Sequence, residues 1–117
     1  MYSVKISYQI FFTLNRSVEL QVGKLGKFIF PKGNYVYTGS AKKNINQRIQ
    51  HHQIKNKKLH WHIDYLLNRD ECKIQKIIKS HLDECILNQT TSGKIIVPKF
   101  GASDCINGCI SHLKYFV

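Results

Sequence analysis

The sequence predicts an α/β domain in which a small antiparallel sheet is flanked by helices. Three observations carry that expectation. Apolar and polar residues alternate through Val4-Lys5-Ile6-Ser7-Tyr8-Gln9-Ile10, the period of a half-buried strand. An aromatic-rich strand, Tyr35-Val36-Tyr37-Thr38-Gly39, follows the turn Pro31-Lys32-Gly33-Asn34. From Asn44 to about Lys55 the spacing turns helical. Ile45 and Ile49 share one face, and Arg48, His51, His52 and Lys55 recur three or four apart on another.

The remaining elements follow in order. Phe11-Phe12-Thr13-Leu14 continues the first strand, and Asn15-Arg16-Ser17 is a turn. Val18 to Val22 alternates again and reads as the hairpin partner of the first strand. Gly23 and Gly26 punctuate the chain before the short strand Phe28-Ile29-Phe30. Trp61 to Leu67 reads as a second helix, with Trp61, Tyr65 and the leucines on its apolar side. Cys72 to Ile78 has strand character. Ser80 and Asp83 have the spacing of a capping box, opening a helix from Glu84 to Asn88. Ile95-Ile96-Val97 reads as a strand stopped by Pro98, and Cys109 to Val117 as a closing strand.

Residues 1–117 amount to one domain, enough for a single core. No apolar run approaches the roughly 18 residues needed to span a bilayer, and Met1-Tyr2-Ser3-Val4-Lys5 does not read as an export signal. The expectation is a soluble, cytoplasmic protein with no membrane partner. Cys72, Cys85, Cys105 and Cys109 then read as reduced thiols.

Charge narrows the partner. Lys+Arg number 18 against 7 Asp+Glu, a formal net charge of +11. No carboxylate falls between Glu19 and Asp64, a stretch holding nine cations and four histidines. A long one-sign segment suits a polyanion, because each neutralised phosphate releases condensed counterions. Nucleic acid is the expected partner, DNA ahead of RNA. Lys42, Lys43, Lys55, Lys57 and Lys58, with Ser40, His51 and His52, are its expected contacts.

The chemistry centres on Tyr37-Thr38-Gly39-Ser40 and the helix after it. A glycine at a strand end lets substrate approach the backbone closely, so Gly39 joins the nucleic-acid contacts. Arg48 stands out because the chain has fifteen lysines and three arginines. A planar bidentate donor for phosphate is a reason to use arginine at one position.

These residues carry a resemblance. Tyr37-Thr38-Gly39 looks like the second half of the GIY-YIG endonuclease signature, and Ser7-Tyr8-Gln9 lies where the first half falls. The chain more specifically resembles the DUF123 branch. The matching segments include Phe30-Pro31-x-Gly33-x-Tyr35-Val36-Tyr37-x-Gly39-Ser40-Ala41, Arg48-x-x-x-His52 and Leu59 to Leu66. They continue with Glu84-Cys85, Phe100-Gly101-x-Ser103-Asp104-Cys105 and Ser111-His112-Leu113. The resemblance implies a three-stranded antiparallel sheet with surrounding helices, and a metal-dependent endonuclease that hydrolyses phosphodiester bonds. It implies catalytic roles for Tyr8, Tyr37, Arg48 and Glu84, with Glu84 holding Mg2+ or Mn2+. His51 and His52 compete with the phenols for the role of base. The chain departs from the pattern at Ile6, where the first half usually has glycine, and at Thr38, where the second usually has an apolar residue. The alternative function is a nucleic-acid-binding module whose catalytic parts are degenerate.

Two further groups have open readings. His60-Trp61-His62-Ile63-Asp64-Tyr65 is either a second histidine–carboxylate cluster or a helix start anchored in the core. Cys105, Cys109 and His112 have soft-ligand chemistry at close spacing, but no fourth ligand is evident and packing is the favoured reading.

Overall fold

A computed structural model describes residues 6–41, 43–55, 57–59, 61–101 and 109–116. The described residues form six strands and three α-helices, with one 3-10 turn at Gly23–Leu25. They are β1 (Ser7–Leu14), β2 (Val18–Val22), β3 (Gly26–Phe30), β4 (Gly33–Ser40), α1 (Ile45–Gln53), α2 (His62–Leu67), β5 (Cys72–Ser80), α3 (Glu84–Gln89) and β6 (Leu113–Phe116). The domain is α/β with antiparallel sheets, as expected. The main sheet has four strands in the order β5-β1-β4-β6 rather than three, because β6 adds to the outer edge of β4.

The hairpin expectation is corrected. Val18 to Val22 does not pair with the first strand. β2 pairs with β3 in a separate two-stranded sheet, Val18 opposite Phe30 and Val22 opposite Gly26. The turn between them uses Gly23 at φ 51° and Gly26 at φ 128°, backbone conformations that glycine adopts without strain. Freed from β2, β1 becomes central, with β4 on one side and β5 on the other. A bulge between Phe11 and Phe12 shifts its register against β5.

Alternation along β1 then sorts side chains between two layers. Ile10, Phe12 and Leu14 face the same side as Tyr35 and Tyr37 of β4. That side packs against α2 and the β2–β3 hairpin. Its core includes Ile63, Leu66, Phe30 and Phe100, all fully buried. Phe12 stacks on Tyr35 at 5.3 Å, and Phe30 meets Phe100 edge-on at 6.0 Å. The opposite side carries buried polar groups around the fully buried Val36. Gln9 donates to Thr38 and Thr91, and Lys114 donates to the carbonyls of Asn88 and Thr91 at the end of α3. So α3 covers the second face.

Two local expectations change. Asp83, not Ser80, caps α3, its Oδ1 accepting from the Cys85 amide at 2.9 Å. Ser80 instead ends β5. Residues 95–97 form no strand; near them only Lys94 bridges to Tyr115. The expected strand start at Val4 and Lys5 lies outside the described residues. No helix among the described residues is long and apolar enough to cross a membrane.

Glu71 locks the start of β5 to the loop after β1. Its carboxylate accepts from Arg16 at 2.8 and 3.1 Å and from Arg69 at 3.1 and 3.2 Å. These two guanidinium groups hold the Glu71 carboxyl down at about 2, against 4.5 for an ordinary glutamate. The folded state therefore binds this proton less readily than the unfolded chain. The associated stability is full above 4.5 and is lost as pH falls toward about 2. We expect Glu71→Gln to lower Tm at pH 7 and to flatten the fall of Tm with acid below pH 4.5. An unchanged acid profile would show that the clamp contributes nothing.

Candidate active site

Pairing of β1 with β4 places Tyr8 opposite Gly39 and Ile10 opposite Tyr37. The two phenols thus leave the same face at the same end of the sheet. Glycine is required at 39. A Cβ there would lie 2.6 Å from both the Tyr8 hydroxyl and its ring carbon Cζ. The close approach that Gly39 permits is that of Tyr8, not of a ligand. Gly101 does the same for Tyr37. Its φ is +66°, and a Cβ there would lie 2.9 Å from the Tyr37 ring.

α1 brings the next groups. Arg48 Nη1 donates to the Ser40 carbonyl, and its guanidinium lies over Trp61, 4.7 Å from the ring centroid. The same guanidinium lies near enough to the Tyr8 phenol to favour its charged form. One turn on, His52 is fully buried and its Nε2 sits 2.7 Å from the Tyr8 hydroxyl. Its ring also meets Tyr37 edge-on at 6.3 Å. Asp64 of α2 completes the chain. Its Oδ1 lies 3.8 Å from His52 Nδ1, and its Oδ2 lies 4.0 Å from His51 Nε2. Oδ2 also accepts from the Trp61 amide at 2.9 Å, so the carboxylate is fixed by the start of its own helix. The separations from the histidines exceed a hydrogen bond, so Asp64 acts on them through charge.

Glu84 arrives from α3, on the other face of the sheet, but at the first residue of that helix. Its side chain is 25% exposed, and Oε2 lies 3.3 Å from Nδ1 of the buried His112. That contact has the distance of an ion pair but not the alignment of a good hydrogen bond. Glu84 and Arg48 both act electrostatically on Tyr8 and on Tyr37. The four expected catalytic residues therefore gather at one end of the sheet.

Burial sets the protonation states. It pushes the Tyr8 phenol well above its ordinary 10.0; Arg48 pulls back, and Glu84 and Asp64 push further up. Tyr37 is raised for the same leading reason. Burial lowers His52 below 6.5, outweighing the Asp64 carboxylate that favours its charged form. The Asp64 carboxylate beside Nδ1 favours the tautomer protonated there, which leaves Nε2 to accept from the Tyr8 O–H. Burial alone would lower His112 too, but the Glu84 carboxylate and the Cys109 sulfur outweigh it and hold the ring up at about 9.

The expected nucleic-acid contacts divide. Lys43 and Lys58 are exposed, and His51 is half-buried against Trp61. Lys42 lies outside the described residues. Lys55 is exposed but its ammonium is tied to the protein, donating to the carbonyls of Leu67, Arg69 and Cys72 at 2.7 to 2.9 Å, which caps the end of α2. Lys57 is buried and donates to the carbonyls of His52 and Ile54 and to Asn68 Oδ1. Ser40 offers its carbonyl to Arg48. Lys79 was not anticipated. β5 runs it beside Tyr8 in register, and its Nζ donates to Asn46 Oδ1 on α1.

Sequence reasoning also missed two pairings, Asp64 with the His51–His52 pair and Glu84 with His112. His60, the partner considered for Asp64, lies outside the described residues, as do Ser103, Asp104 and Cys105. Cys72, Cys85 and Cys109 form no disulfide.

A family model described as Domain of unknown function DUF123 matches residues 7–117. No curated protein and no solved structure matches the chain.

Two expectations follow from this geometry. Lowered by burial, His52 stays neutral until pH falls below 6.5, so its NMR titration midpoint should lie under that value. The folded state then binds the proton less readily than the unfolded chain, and this share of stability is lost as pH falls. A midpoint above 6.5 would mean that Asp64 dominates. Gly39→Ala should displace the Tyr8 phenol and break its bond to His52. The His52 midpoint would then move toward 6.5, whereas an unmoved midpoint would show that the phenol keeps its place.

Proposed function

We propose that this chain, which belongs to the DUF123 family, is a metal-dependent endonuclease of GIY-YIG type that hydrolyses phosphodiester bonds, in DNA ahead of RNA. The observation that carries this reading is the gathering of Tyr8, Tyr37, Arg48 and Glu84, from β1, β4, α1 and α3, at one end of the sheet. A net charge of +11, with Lys43 and Lys79 near this end, supports a polyanionic substrate.

The donor set suits a hard cation. Glu84 supplies one partly exposed carboxylate, which fits Mg2+ or Mn2+ retaining several waters, and does not make a closed protein cage. When bound, such an ion supplies charge neutralisation at the phosphate and its leaving oxygen. The chain's own groups do the rest. Arg48, held by the Ser40 carbonyl and the Trp61 face, presents its remaining N–H donors to phosphate oxygens. Tyr8 takes a proton from the attacking water as it passes its own to His52 Nε2. The nearby Asp64 carboxylate stabilises the imidazolium that results. In this relay a phenol held protonated by burial still works as a base, because it never has to carry a full charge. Tyr37 packs beside this pair and orients the water.

The rival reading is a module that binds nucleic acid without cutting it. It draws on the near-complete burial of Tyr8 and Tyr37. A nicking assay on supercoiled plasmid with Mg2+ or Mn2+ separates the two. We expect wild-type cleavage that disappears with chelator. Arg48→Ala, Glu84→Ala and His52→Ala should each lower the rate by about 100-fold or more, while salt-sensitive binding persists. Binding with no cleavage under any metal would leave the module; variants that cut like wild type would remove these residues from the mechanism.

A further inference from the structure

Behind Glu84 lies a second group of side chains that the nuclease chemistry does not use. Cys85 follows Glu84 on α3, and Cys109 and His112 approach from the segment leading into β6. The ligand atoms of Cys85, Cys109 and His112 all lie within 4.8 Å of one another. The sequence spacing groups Cys109 and His112 with Cys105, which lies outside the described residues; among the described residues the fold brings Cys85 to them.

The geometry points to a zinc site with Cys85, Cys109 and His112 as its protein ligands. Zinc bonds of about 2.0 to 2.3 Å in a tetrahedron put ligand atoms roughly 3.3 to 3.8 Å apart, so side-chain shifts on the order of 1 Å would close the present spacing around an ion. Two thiolates and a neutral imidazole match the charge and softness of a divalent zinc ion, and sulfur donors select against magnesium. A second observation comes from the histidine itself. His112 has a side chain 2% exposed, and neither ring nitrogen makes a well-aligned hydrogen bond. A buried imidazole in that state is costly unless something else engages it. Nδ1 faces Glu84 Oε2 at 3.3 Å, which leaves Nε2 for the ion. This is the carboxylate–histidine–metal order in which an outer acid fixes the ring and raises its basicity. Metal entry displaces the protons of both thiols and of Nε2 to solvent, while Nδ1 keeps its proton toward Glu84.

The consequence for the first site is positional. Zinc would hold His112, and His112 would hold Glu84 through Oε2, leaving the other carboxylate oxygen to face the catalytic end of the sheet. The zinc site stands whether or not the chain cuts nucleic acid.

The test uses the full chain purified under reducing conditions without added chelator. Elemental analysis should find about one zinc per chain in the wild type and a loss of most of it in Cys85→Ser and Cys109→Ser. Cobalt(II) in place of zinc should give thiolate-to-metal charge-transfer absorption and intense tetrahedral d–d bands. Stripping the wild type with a strong chelator should lower Tm, and zinc but not magnesium should restore it, which keeps the test valid if a variant fails to fold. Zinc-free protein with unchanged Tm on zinc addition would overturn the assignment. So would zinc retained equally by both serine variants, or a Cys85–Cys109 disulfide in the protein as purified.

Discussion

The register of β1 against β4 is the constraint on which the rest depends. It sets Tyr8 opposite Gly39 and Tyr37 one pair further along on the same face. A shift of one residue would send both phenols to the α3 side and carry Gln9 and Thr38 into the core. The register is protected from both directions. Ile10, Phe12 and Leu14 fill the apolar layer, while Gln9, Thr38 and Thr91 form a hydrogen-bonded ladder on the other. Only glycine at 39 leaves room for the Tyr8 phenol to lie across β4 and reach His52.

The site is assembled by borrowing from both layers. Tyr8, Tyr37, Arg48, His52 and Asp64 belong to the apolar side, where burial raises both phenols and lowers His52. Glu84 and His112 come around the end of the sheet from the α3 side. An acid from one layer and a guanidinium from the other both act on the phenols at that end. Asp64 and the Glu84–His112 pair have parallel forms, each a carboxylate beside a buried histidine. They differ in outcome. His52 is lowered because desolvation wins at 3.8 Å from Asp64, whereas His112 is raised because a closer acid and a sulfur outweigh its burial.

Much of the fold was legible along the chain because local periodicity dictates it. The alternation in β1, the aromatic run of β4, the strand character of β5, the helical spacing of α1 and the apolar side of α2 each survive in the structure, with ends moved by a few residues. Pairing was not legible. Val18 to Val22 alternates as a hairpin strand should, yet nothing local says whether its partner precedes or follows it, and the Gly23–Gly26 turn decided for β3. Residues 95–97 have strand chemistry but meet no partner backbone beyond one bridge. Of the site, the residue types in the half-motifs and the scarcity of arginine drew attention to Tyr8, Tyr37 and Arg48. The other two arginines turn out to share Glu71, so each arginine serves a planar fork of donors. The carbonyl contacts of Lys55 and Lys57 were hidden because a lysine capping carbonyls looks, in sequence, like a lysine awaiting phosphate. The Glu84–His112 contact joins residues 28 positions apart, a separation no spacing rule covers.

The central claim is that two phenols, Arg48 and Glu84 surround a single phosphate. It is tested most directly by a crystal structure of Glu84→Gln bound to a short DNA duplex, beside one of the wild type bound to the same duplex with a non-bridging sulfur at the scissile phosphate and Mn2+. The account predicts a scissile phosphate bridged by Arg48, the Tyr8 oxygen within hydrogen-bond reach of it or of an in-line water, and manganese anomalous density at Glu84 in the wild type alone. Duplex lying along β5 with no phosphate between Arg48 and Glu84, or manganese away from Glu84, would contradict it.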